Sequence, residues 1–140
     1  MINYSKFKKS LKQLELQFAN YQRSAERTDL SELDKEAIAE SVIQRFETCY
    51  DCAWKHLKRY LIETLGLPDV PNSPKPIFRI AADNKLFRAK TEQWLGYADA
   101  RIQTSHDYNG DKAQAALLLM ADFIADATAL YQTLTEEPWQ

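Results

Sequence analysis

Between Ser5 and Ala25 the apolar residues Phe7, Leu11, Leu14, Phe18 and Tyr21 recur at alternating spacings of four and three, which draws one stripe along a helix. The segment Arg27-Thr28-Asp29-Leu30-Ser31 breaks that stripe, and Ser31 with Asp34 three residues on is a capping arrangement for a second helix. The second stripe runs through Ile38, Val42, Phe46, Cys49, Ala53, Leu57 and Leu61, and a helix carrying it ends at Leu65, before Gly66 and Pro68. At 1.5 Å per residue that helix is about 50 Å long, and its apolar positions off the main stripe, Tyr50 and Trp54, predict contact with a second chain.

Ser73-Pro74 opens a short helix through Ala82, with Asn84 as its expected left-handed stop. A fourth helix is predicted from Thr91 to Gln103. Ser105 to Gly110 reads as a turn, and Asp111 is placed to cap a last helix through Leu134, whose stripe includes Ala113, Leu117, Met120, Phe123, Ile124, Ala127 and Leu130. No alternation of β-branched residues predicts a strand. The expected fold is therefore all-α, an up-and-down four-helix bundle with an additional short helix.

Composition narrows this picture. The 140 residues fit one domain, 1–140, and three glycines with five prolines, four of them between Pro68 and Pro76, leave long stretches free of helix breakers. No run approaches the roughly 20 apolar residues of a membrane span, and the opening Met1-Ile2-Asn3-Tyr4 leads straight into a charged segment, so a cytoplasmic protein without membrane attachment is expected. Net charge is −2, but Lys55 to Lys90 holds eight Lys or Arg against three acids, and Thr91 to the end holds two against eight. The basic tract is open to two readings, attraction of phosphates or ordinary solvation of helix surfaces.

Candidate chemistry is sparse, since the chain has no Gly-rich phosphate loop, GxSxG elbow or HExxH pair. Cys49, Cys52 and His56 share a helical face, but three ligands from one helix fall short of a closed zinc set, and packed thiols beside a half-buried histidine are the preferred reading. Neither a metal nor a cofactor is expected. The other candidate is Arg101-Ile102-Gln103-Thr104-Ser105-His106-Asp107-Tyr108. On an unbroken helix residues five apart diverge, but a helix ending near Gln103 lets the following loop bring His106 back toward Arg101. An arginine that holds a phosphate and a histidine that moves a proton suffice for metal-free RNA cleavage. The same pair also suits a helix C-terminus through the helix dipole alone, and on spacing alone that is the preferred reading, since Arg and His five apart are common by chance.

These residues carry a resemblance. Phe7, Leu11, Leu14 and Glu15, then Val42-Ile43-Gln44-Arg45-Phe46-Glu47 with Ala53-Trp54-Lys55, Ser73-Pro74, Trp94, and Arg101 to Tyr108 follow one another as in the HEPN superfamily. The branch resembled is that of nucleotidyltransferase substrate-binding proteins and HepT-like toxins. The resemblance implies a homodimer or larger homo-oligomer with Arg101 and His106 of each subunit facing a shared cleft. It implies a minimal nucleotidyltransferase as partner and, in toxin members, a metal-independent endoribonuclease using these two residues. It also implies that Tyr108 accepts a nucleotide from that partner. The chain departs from the family pattern at Ala100, where an acid is frequent, and at Ile102, where a polar residue is usual. A non-catalytic binding subunit of the nucleotidyltransferase and a purely structural dimer are the competing expectations.

Overall fold

A computed structural model describes residues 1–105 and 110–140. Helix α1 (Ser5–Ser24) and helix α2 (Glu32–Arg59) lie against each other, and the expected stripe residues Phe7, Leu11, Leu14, Val42, Phe46, Cys49, Ala53 and Leu57 are all fully buried. The predicted capping box is present: Asp34 N–H donates to Ser31 Oγ at 3.0 Å, and Ser31 N–H donates to Asp34 Oδ2 at 3.1 Å. Helix α2 continues as a π-helical turn, Tyr60–Thr64, so the helical rod reaches the predicted end. There Leu65 N–H donates to the Tyr60 carbonyl, Gly66 adopts φ +67°, and Leu67 N–H reaches back to the Leu61 carbonyl at 3.0 Å. Open space surrounds Gly66, so the left-handed backbone is what calls for glycine there.

Helix α3 (Pro74–Asp83) is the short helix, with Pro74 in its first turn but no side-chain cap from Ser73. Asn84 is not the left-handed residue. It sits at φ −91° and its side-chain amide donates to the Ile80 carbonyl at 2.8 Å, while Lys85 takes φ +59°. The Ile80 carbonyl thus accepts both the backbone N–H of Asn84, at 3.0 Å, and its side-chain amide, and the reversal falls one residue on.

Helix α4 is Thr91–Thr104. The last predicted helix is two, α5 (Asp111–Leu118) and α6 (Met120–Thr135), bent by 49° at Leu119. Asp111 is the first helical residue and not the cap, which is Gly110 at φ +93°. An acid in the first turn still faces the positive end of the helix dipole.

Four long segments, α1, α2, α4 and the bent α5–α6, thus form an all-α bundle, with α3 added. Helix α2 touches every other helix. Its face between the others is aromatic: Phe46 meets Phe123 edge-on at 4.9 Å, Phe123 meets Tyr97 at 5.1 Å, and Trp94 packs between Tyr97 and Phe78. Tyr50 belongs to this core, 2% exposed and edge-on to Phe78 of α3, and Trp54 is partly buried against it. The expectation that Tyr50 faces a second chain is therefore wrong, because α3 covers that side of α2. No single described helix is long and apolar enough to cross a membrane.

Candidate functional site

Glu47 and Asp51 lie four residues apart on α2, one helical turn, and so project from one face. That face meets the last turn of α4, where Arg101 stands. Arg101 Nη1 donates to Glu47 Oε2 at 3.1 Å, and Nη2 and Nε point to the two carboxylate oxygens of Asp51 at 3.3 and 3.4 Å. The environments of the two acids differ. The Glu47 side chain is 10% exposed, whereas those of Asp51 and Arg101 are 38% and 27% exposed. Thr104, fully buried, places Oγ1 2.9 Å from Glu47 Oε2 and 3.2 Å from the Arg101 carbonyl. The hydroxyl has one proton, and the charged, nearer acceptor takes it.

One buried carboxylate thus fixes both Arg101 and Thr104 across the closing turn of α4, while Asp51 steadies the guanidinium from its wetter side. Among the described residues no buried side-chain polar atom lacks a partner. An arginine held this way keeps its plane in one orientation, as bidentate recognition of a phosphate or carboxylate requires.

Of the residues singled out in the sequence, Arg101 is placed at the end of α4, with its side chain on α2. His106 and Tyr108 lie outside the described residues, as does most of the turn predicted over 105–110. Ile102, the apolar departure from the family pattern, is 53% exposed, and Ala100 packs against the core. Glu47, Asp51 and Thr104 were not assigned a role in the site from the sequence. The available signal was an acid inside an apolar arc: Ile43, Phe46 and Tyr50, all buried, surround Glu47 on the helix.

The thiols and imidazole on α2 do not assemble a ligand set. Cys49 is fully buried, and burial pushes its thiol up to about 12, far from the thiolate that binds metals. His56 is occupied by backbone, with Nδ1 2.7 Å from the Cys52 carbonyl and Nε2 3.1 Å from the Asn3 carbonyl. Among the described residues no three His, Cys, Asp or Glu side chains converge on a metal position. A second polar pair joins α4 to α6, where the Tyr97 hydroxyl donates to Asp126. Desolvation raises the Asp126 carboxyl above its ordinary range, and burial, with the carboxylate as acceptor, raises the Tyr97 hydroxyl.

Comparison with known proteins bears on this arrangement. The sequence profile described as nucleotidyltransferase substrate binding protein like matches residues 2–136. A Haemophilus influenzae protein named probable ribonuclease HepT is 29% identical over 104 residues, 73% of this chain and 70% of that protein. A Haemophilus influenzae structure described as revealing the fold of a substrate binding domain of a nucleotidyltransferase superposes with a TM-score of 0.85. It covers 95% of this chain and 99% of its own, and at 24% identity it shows the fold. A crystal structure from Thermus thermophilus has a TM-score of 0.65 at 30% identity, covering 86% of this chain and 98% of its own.

Proposed function

The chain belongs to the nucleotidyltransferase substrate binding protein like family, in the HepT-like branch of the HEPN superfamily, and from that premise we propose how it acts. It is the helical component of a two-gene, toxin-antitoxin-like module whose other member is a minimal nucleotidyltransferase, and it cleaves RNA without a metal as a cytoplasmic homodimer. His106 takes the proton of a substrate 2′-hydroxyl. The freed oxygen attacks the adjacent phosphorus, the bond to the 5′-oxygen breaks, and that oxygen leaves with a proton from an imidazolium or water. The products are a 2′,3′-cyclic phosphate and a 5′-hydroxyl. Arg101 binds the phosphate and offsets the charge that builds on it in the transition state. Tyr108 is the off switch: its hydroxyl attacks the α-phosphorus of a nucleoside triphosphate held by the partner with magnesium, and pyrophosphate leaves.

The observation supporting this reading is the clamp on Arg101. A guanidinium oriented by Glu47 and Asp51 at the end of α4 stands five residues before His106 and seven before Tyr108. The test is cleavage of a mixed RNA pool, chelator present, by wild type, Arg101→Ala and His106→Ala, with cyclic-phosphate ends assayed. Cleavage by wild type alone is expected. Equal cleavage by all three indicates a contaminating nuclease and removes the site. Intact-mass measurement with the partner, nucleotide and magnesium is expected to show an adduct that Tyr108→Phe abolishes.

One observation favours a second reading, a non-catalytic binding subunit. The residue after Arg101 is Ile102, half-exposed and unable to hydrogen-bond a phosphate through its side chain. On that reading wild type cleaves nothing, yet still binds the nucleotidyltransferase.

A further inference from the structure

Arg101, Glu47 and Asp51 together sum to one negative charge, so their combined field does not draw a polyanion toward the end of α4. Three cations lie on the other side of Asp51. A groove of about 550 Å³ opens there between the first turn of α1 and the second half of α2, and Lys6, Lys55 and Arg59 line it against Asp51, the one acid among the described lining residues. Asp51, Lys55 and Arg59 follow at four-residue intervals, one row along α2 with about 6 Å of rise per step. Lys6 stands on the facing wall.

That wall is built and tethered. Ser5 N–H donates to Asn3 Oδ1 at 2.9 Å, and the His56 ring, wedged between the Asn3 and Cys52 carbonyls, ties the chain entering α1 to α2. The cations are exposed. Lys6 and Lys55 form no ion pair among the described residues, and Arg59 holds Glu63 in a half-exposed pair of the kind worth little in water. Asp51 lines this groove and its carboxylate touches the guanidinium of Arg101, so the groove borders the arginine.

We propose that this groove binds the sugar-phosphate backbone of an RNA strand, with Lys6 and Lys55 holding phosphates next to the one at Arg101. The RNA identity of the ligand rests on the ribonuclease reading. The groove is a binding site in its own right, and binding is measured apart from cleavage.

A fluorescent oligoribonucleotide with 2′-O-methyl groups throughout lacks the nucleophile and reports binding alone. Its anisotropy is followed across a salt series for wild type, Lys6→Ala, Lys55→Ala, the double variant and Arg79→Ala, the last removing an exposed cation of α3 outside the groove. Each groove lysine removed is expected to weaken binding and to flatten the slope of log K against log salt by about 0.7. Arg79→Ala leaves both unchanged, and all variants melt with wild type. No binding by wild type, a double variant that binds like wild type, or equal weakening by Arg79→Ala overturns the groove. So does a double variant that keeps RNA but loses the nucleotidyltransferase, which makes the surface a protein-docking one. Binding that depends on the lysines, from a wild type that cuts no unmodified RNA, leaves the groove standing and removes the catalytic reading. Cleavage by wild type with an unaltered KM in the double variant does the reverse.

Discussion

Replacing Glu47 by alanine removes the one buried carboxylate of the α2–α4 contact and leaves two donors, Arg101 Nη1 and Thr104 Oγ1, without it. A hydrogen bond to a charged group contributes about 1.5–3 kcal/mol net, and breaking a fully buried ion pair costs about 3–5 kcal/mol. Neither upper figure applies here. The Arg101 side chain is 27% exposed and retains Asp51, and Thr104 turns to the Arg101 carbonyl 3.2 Å away. The loss is therefore about 2 kcal/mol, or a fall in Tm of about 7 °C for a chain of this size. Urea unfolding followed by circular dichroism measures it, and combining Glu47→Ala with Arg101→Ala isolates the pair. A coupling of about 1–2 kcal/mol is expected, since both single variants break the same contact. A loss below about 0.5 kcal/mol, or additive variants, refutes the view that Glu47 holds the arginine.

Three further outcomes follow from the contacts described. Ser31→Ala removes the capping box of α2 and is expected to cost about 1 kcal/mol in urea unfolding, with an unchanged m-value. A thiol reagent at pH 8 is expected to add once to the native chain, at half-buried Cys52, because Cys49 is fully buried with its thiol pushed up to about 12; mass spectrometry of native Cys52→Ala then shows no adduct. Asp126 has a carboxyl raised by desolvation, so the folded state binds its proton more tightly than the unfolded one. Its contribution is full below the unfolded pKa and is lost as pH rises through the folded one. Wild type should therefore gain stability relative to Asp126→Asn as pH falls from 6 to 4, and parallel melting curves for the two proteins over that range contradict this.

What the sequence disclosed follows the reach of its signals. Stripes, caps and proline positions act over a few residues, and the beginnings of α1, α2, α3 and α4 fell where those signals put them. The bend at Leu119 was hidden because the apolar period runs on from Ala116 and Leu117 into Met120 and Phe123, with no glycine or proline to mark it. Tyr50 was misread for want of tertiary information, since only the return of α3 onto α2 covers it. The clamp on Arg101 combined both difficulties: Glu47 and Asp51 show a visible one-turn spacing, but their partner lies 54 and 50 residues along the chain.

The bend in the last helix has a mechanical consequence. Eight residues of α5 measure about 12 Å, so a tilt of 49° carries the helix start about 10 Å from where a straight continuation of α6 would put it. That offset helps to set where Gly110 stands, the residue that follows the stretch holding both His106 and Tyr108. Leu119 is thus the fulcrum of a lever whose far end is the anchor of that stretch. Packing along α6 therefore bears on where that anchor stands, with no contact to Arg101 required.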